Sequence, residues 1–272
     1  LLGLLPLISR KALEWVKARK VYAGWDKPKV FDRNMVVIGA GSGGLVSAYI
    51  AAAVKAKVTL IEKHQMGGDC LNTGCVPSKA LIRSAKLANE MSKAEQLGFK
   101  PIKAEVDFAA VMQRVQRVVA AVEPHDSVAR YTGLGVEVIE GEAKITSPWT
   151  VEVNGQSLST RAIVIASGAR PLVPKIPGIE QVEPLTSDNV WNLREQPKRL
   201  LVLGGGPIGC ELAQAFQRLG SAVTQVEMLE RLLIREDPEA SAAVMASLRQ
   251  DGVELRLRHK AMRFEVIEGQ RQ

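Results

Sequence analysis

Met35-Val36-Val37-Ile38-Gly39-Ala40-Gly41-Ser42-Gly43-Gly44 decides the fold. Four continuously apolar residues, three of them β-branched, read as a strand buried on both faces in a parallel sheet. Gly39, Gly41 and Gly44 follow with dinucleotide-binding spacing. A helix over Leu45–Val54 comes next, then a strand at Val58-Thr59-Leu60-Ile61 that ends on Glu62. Glycines placed there permit a tight turn and let a pyrophosphate approach the N-terminus of the helix. Glu62 stands where a carboxylate takes a pair of ribose hydroxyls. A lone glycine pattern is weak; strand, turn, helix and acid in this order are specific.

The same unit returns later without drift. Leu200-Leu201-Val202-Leu203 leads into Gly204-Gly205-Gly206-Pro207-Ile208-Gly209, a helix over Glu211–Leu219, a strand over Ala222–Val226, and Glu227. Gly39 to Gly204, Gly44 to Gly209 and Glu62 to Glu227 are each 165 residues apart. Two such units on one chain point to two nucleotide cofactors.

Between them lies Gly67-Gly68-Asp69-Cys70-Leu71-Asn72-Thr73-Gly74-Cys75-Val76-Pro77-Ser78-Lys79. Pro77 suits the first turn of a helix, and Val76, Ala80, Leu81, Leu87 and Met91 continue it as an apolar stripe. Cys75 then sits at a helix N-terminus, where unpaired amides favour an anion and lower a thiol pKa. Cys70 is close enough in sequence to close a small disulfide ring with it. The other readings are two buried cysteines or half of a zinc site. Zinc needs further ligands, and the remaining cysteine, Cys210, is distant and beside no histidine.

This stretch resembles the active-site signature of the flavin-dependent pyridine nucleotide–disulfide oxidoreductases, with Asp69 where many members carry threonine. That family includes dihydrolipoamide dehydrogenase, glutathione reductase and mercuric reductase. The resemblance implies that Cys75 contacts the flavin, that Cys70 exchanges with substrate, and that Lys79 lies near the reactive flavin nitrogen and pairs with Glu211. It implies FAD held by Gly39, Gly41, Ser42, Gly43, Gly44, Glu62, Lys63, Gly68, Asp69, Lys79, Ala143, Ser167 and Gly168. It likewise implies NAD(P)H held by Gly204, Gly206, Pro207, Ile208, Gly209 and Glu227. NADH is favoured, because Glu227 repels a 2′-phosphate, although Arg231 and Arg235 follow nearby. Gly209–Phe216 and Arg235-Glu236-Asp237-Pro238 look closer to mercuric reductase than to glutathione reductase.

The remaining chain fits around these motifs. Asp107–Tyr131 carries a helical apolar stripe that Pro124 divides. His125 beside Asp126 reads as structural or surface, since adjacent side chains do not share a helix face. A strand is expected at Val136–Ile139, a hairpin with a type I′ turn at Asn154-Gly155, a buried strand at Arg161–Ala166, and a strand around Val253–Leu257. Pro171, Pro174, Pro177 and Gly178 punctuate a linker. Cys210 reads as a small core residue.

The net charge of +7 is unevenly spread: residues 1–33 carry +5 and the other 239 carry +2. No basic groove interleaved with aromatics exists in the body, so nucleic acid is not an expected partner. Three cysteines are too few for a secreted disulfide scaffold and fit a reducing, cytoplasmic setting. The apolar Leu1–Ile8 followed by Arg10 and Lys11 gives the expectation of a membrane-proximal segment over 1–30, on the cytoplasmic face.

The expected fold is α/β: two Rossmann-like parallel-sheet dinucleotide-binding domains, an FAD domain over 31–185 and an NAD(P) domain over 186–272, the second truncated. The expected activity moves electrons between NAD(P)H and a small disulfide, a dithiol or mercuric ion through FAD and a Cys70–Cys75 redox disulfide. No resident metal is expected. The full-length protein is expected to be a homodimer whose acid–base histidine lies beyond this stretch. The competing class is a non-enzymatic flavin-binding redox sensor or a membrane-assembly subunit.

Overall fold

The computed structural model describes residues 5–100, 102, 105–268 and 270–271. The chain folds into two compact units, one of residues 1–68 and 124–168, the other of 69–123 and 169–272.

The first unit is built on β1 (Arg33–Ile38), which contains the apolar run Met35–Ile38. It pairs in parallel with β2 (Val58–Glu62) on one side, Met35 opposite Val58, and β2 pairs in parallel with β3 (Val136–Glu140). Helix α2 (Ser42–Ala53) crosses between β1 and β2 and buries Gly44, Leu45, Ala48, Ala51 and Ala52 against them. It starts three residues before the expected Leu45, because glycines with helical dihedrals already belong to its first turn. On the other side of β1 runs β6 (Gln156–Ile165), ten residues long. Its second half pairs in parallel with β1; its first half pairs antiparallel with β5 (Thr150–Val153), which pairs with β4 (Lys144–Ser147). The sheet order is β3-β2-β1-β6-β5-β4. Asn154 and Gly155 take φ of +50° and +77° at the β5–β6 turn, as a type I′ turn requires.

In this unit α1 (Leu5–Val21) lies before β1, and Leu13, Trp15 and Val16 on it are exposed. Leu1–Leu4, part of the expected membrane-proximal tip, fall outside the described residues. No helix among the described residues is long and apolar enough to cross a membrane. The short α6 (Val128–Gly133) precedes β3 and buries Tyr131.

The second unit carries the repeat. Strands β7 (Arg199–Leu203), β8 (Ala222–Glu227) and β9 (Glu254–Leu257) pair in parallel in that order. Helix α7 (Pro207–Arg218) joins β7 to β8, and α8 (Pro238–Gln250) joins β8 to β9. Two helices from the middle of the chain complete its core: α4 (Cys75–Ser92) and α5 (Phe108–Val122). Leu81, Phe108, Met112, Val115, Trp191 and Phe216 share one buried cluster there. A short α3 (Gly68–Asn72), not expected from the sequence, precedes α4. The divided helix follows its proline: α5 ends at Val122 and a 3-10 turn, Glu123–Asp126, takes up the rest. Two-residue strands β10 (Val266–Ile267) and β11 (Gln270–Arg271) form a separate hairpin.

Candidate active site

The cysteines come to one place because the short α3 ends where α4 begins. Cys70 lies in α3, partly exposed, and Cys75 is the first residue of α4, exposed. Both are free thiols, and the Cys75 thiol shares a hydrogen bond with Cys70. Thr73 donates its N–H to the Asp69 carbonyl at 2.9 Å and Ser78 its N–H to the Gly74 carbonyl at 3.0 Å, so both turns close. The Ser78 hydroxyl donates to the Cys75 carbonyl at 3.1 Å.

The thiol chemistry departs from the expectation of a depressed Cys75. Its pKa is raised: first by the hydrogen bond with Cys70, then by burial, then by the charge on Cys70. Lys79 pulls the other way and does not prevail. A helix N-terminus counted alone neglects the neighbouring sulfur, which holds the Cys75 proton.

Lys79 stands one turn along α4 from Cys75, on the same face. Its Nζ meets the Glu211 carboxylate of α7 at 2.6 and 2.8 Å. The side chains keep 60% and 40% of their exposure, so the pair adds little to stability. Cys210, beside Glu211, is buried and its thiol is pushed up by burial. His125 and His259 are exposed and belong to neither turn nor thiol pair.

The two glycine turns are built alike, each within its own unit. Gly39 has φ +100° and donates to the Ile61 carbonyl at 2.8 Å. Glu62 accepts the N–H of Ala40 at 2.6 Å and of His64 at 2.8 Å. Ser42, Gly43 and Gly44 form the first turn of α2. Lys63 lies next to Glu62, its Nζ 3.3 Å from the Glu142 carboxylate beside Ala143. Ser167 and Gly168 follow β6, and Gly68 packs on Gly41. In the second unit Gly204 has φ +102°, and Glu227 accepts from Gly205 and Leu229 at 2.6 and 2.8 Å. Pro207, Ile208 and Gly209 open α7.

Whether these turns fit a pyrophosphate is read from the space above them. A Cβ on Gly206 would meet nothing within 4 Å, and one on Gly41 only the Gly68 Cα at 3.8 Å. The protein leaves room over both helix starts, as the pyrophosphate of a dinucleotide would require. Among the described residues no group of three or more His, Cys, Asp and Glu gathers as a metal site.

Two contacts at these sites go beyond the sequence expectations. Trp191 donates its indole N–H to the Thr73 carbonyl, inside the cysteine loop, at 2.9 Å. Gln225, fully buried, donates to the Gly204 carbonyl at 2.9 Å. A tryptophan 118 residues from the loop leaves no local pattern. For Gln225 a signal existed: it is the polar residue in a strand whose counterpart position in the first repeat is Leu60.

Residues 33–270 match the family model described as pyridine nucleotide-disulphide oxidoreductase. The chain is 38% identical over 225 residues to a mercuric reductase of Bacillus cereus, covering 83% of this chain and 36% of that protein. It is 36% identical over 228 residues to a dihydrolipoyl dehydrogenase of Acholeplasma laidlawii, covering 82% and 67%. A solved structure, the Cu(II) complex of the HOCl-induced flavoprotein disulfide reductase RclA from Escherichia coli, superposes with a TM-score of 0.74 at 31% identity. That match covers 88% of this chain and 52% of the other. The chain spans 36% to 42% of the mercuric reductases of Bacillus cereus and Lysinibacillus sphaericus. Members of this family use FAD and NAD(P)H. The chain belongs to the pyridine nucleotide-disulphide oxidoreductase family.

Proposed function

We propose that this family member is the electron-transfer core of an FAD-dependent oxidoreductase, passing electrons between NAD(P)H and a substrate through Cys70 and Cys75. The Lys79–Glu211 pair carries the reading. It places an ammonium one helical turn from Cys75 and holds it with a carboxylate, in a half-exposed setting where stability gains little. Bound FAD supplies two-electron exchange between a nicotinamide and a disulfide. The chain's own residues bind and orient. The Gly39 turn with Glu62 suits the dinucleotide of FAD, and the Gly204 turn with Glu227 that of the nicotinamide cofactor. Cys70 takes the part of the thiol that exchanges with substrate and Cys75 that of the inner thiol. Lys79 favours charge on Cys75.

NADH is the expected reductant. Glu227 repels a 2′-phosphate, and the Arg231 guanidinium is committed to the carbonyls of Leu233, Ile234 and Glu236 at 3.2, 2.9 and 3.0 Å. A kcat/KM clearly higher with NADPH would overturn this. The substrate class is a small disulfide, a dithiol or mercuric ion, in keeping with relatives named for these chemistries.

A single-turnover thiol count tests the proposal. With FAD added under argon, one equivalent of NADH should convert the Cys70–Cys75 disulfide into two thiols that alkylate and are counted by mass. Cys70→Ser and Cys75→Ser should gain none. No new thiol in the flavin-loaded wild type sinks the reading.

A further inference from the structure

The Thr73 carbonyl lies just before Gly74, the N-cap of α4, outside the helix's own ladder, and Pro77 in the first turn removes no helical bond. Its donor comes from far along the chain: the Trp191 indole reaches the Thr73 carbonyl at 2.9 Å and shares its N–H with the Ser187 carbonyl at 2.7 Å. Trp191 is itself held. It is 4% exposed, and its carbonyl accepts from Gln116 at 3.3 Å and Arg194 at 3.1 Å. Thr73 lies between Cys70 and Cys75, so whatever holds its carbonyl holds the peptide that joins the two thiols.

We propose that Trp191 is a positioning residue of the cysteine loop, its indole N–H holding the Thr73 carbonyl and setting the spacing of Cys70 and Cys75. This rests on the two cysteines working as a redox pair. The bond is made with both sulfurs as thiols; on this proposal disulfide closure weakens it, so it favours the dithiol.

The test is the equilibrium of the protein dithiol with glutathione disulfide. One S–S bond forms in the protein as one breaks in glutathione disulfide, and two protons pass to the released glutathione thiols. The dithiol fraction is read by acid quench, alkylation and mass across glutathione buffers. Trp191→Phe keeps an aromatic ring and removes the N–H. It should shift the equilibrium about five-fold toward the disulfide, the worth of one buried hydrogen bond, and change the pH profile of Cys75 alkylation. Site-specific 3-benzothienylalanine at position 191, an isostere without the N–H, should do the same and decides the matter if the phenylalanine variant misfolds. An isostere equilibrium within two-fold of wild type, or shifted toward the dithiol, overturns the assignment even if melting temperature falls. A wild type that forms no disulfide in any buffer overturns this assignment and the functional reading together.

Discussion

Gly39 and Gly204 adopt φ of +100° and +102°, and each donates to a carbonyl of the next strand at 2.8 Å. Glu62 and Glu227 each take one amide of the turn at 2.6 Å and one beyond their own strand at 2.8 Å. What lies beneath differs. Leu45 and Leu60, both buried, support the first turn; Cys210 and Gln225 stand at the same places under the second. There Gln225 and the Cys210 thiol engage the carbonyls of Gly204 and Gly205 at 2.9 and 3.7 Å. The surroundings differ as well: a Cβ on Gly39 would collide with the Ala166 carbonyl, whereas one on Gly204 would meet nothing within 4 Å. The turn geometry therefore comes from the glycine dihedral and the acid, and tolerates either an apolar or a polar support.

Alanine substitution separates dihedral from crowding. Gly39→Ala meets both penalties and should cost about 4 kcal/mol, while Gly204→Ala meets the dihedral alone and should cost about 2 kcal/mol. Urea unfolding measures both; equal losses would show that neighbouring backbone plays no part.

The acid anchors of the two units give the next contrast. Burial pushes Asp251 up, but Lys93 at 3.1 Å and Arg218 at 2.6 Å outweigh it and hold the carboxyl below its ordinary range. Glu137 is likewise held down by Thr59 and Arg33 against burial, but its side chain keeps 46% of its exposure against 3% for Asp251. Asp251→Asn should cost about 3 kcal/mol and Glu137→Gln about 0.5 kcal/mol near neutral pH. Both groups have depressed folded pKa values. Their stabilisation is therefore full above the ordinary carboxylate range and is lost as pH falls through the folded values. Denaturation measured from pH 6 to pH 2 should bring Asp251→Asn and wild type together at the acid end. A gap that stays constant would contradict the linkage.

The smallest effect tests the supports. Gln225→Leu installs the first turn's residue under the second. It removes the anchor on the Gly204 carbonyl and also an amide oxygen that has no partner. Stability should stay within about 1 kcal/mol, while the KM for NADH rises about three-fold with kcat unchanged. A ten-fold fall in kcat would mean that Gln225 does more than hold the turn.

Much of this was legible because it repeats. The apolar run at Met35–Ile38, the glycine spacing and the terminal acids recur at one offset, so the α/β class and the parallel strands of both sheets follow from periodicity. Asn154-Gly155 and Pro124 act locally, and the hairpin and the divided helix appear where they stand. The gathering of α4 and α5 with the second repeat was not legible, because helix–helix packing leaves no mark in either helix's own pattern. Trp191 escaped for the same reason. The thiol pKa direction was missed because it depends on how the two sulfurs face one another.

Strand β6 has a consequence for the order in which the first unit is made. β1 is flanked by β2, which leaves the ribosome soon after it, and by β6, whose Thr160 pairs with Arg33. At ordinary synthesis rates that partner emerges on the order of 10 s later. During that interval one edge of a strand with four consecutive apolar residues, Met35–Ile38, has no mate. The nascent first unit waits, half-zipped, for a segment made only after the cysteine helices have already left the tunnel.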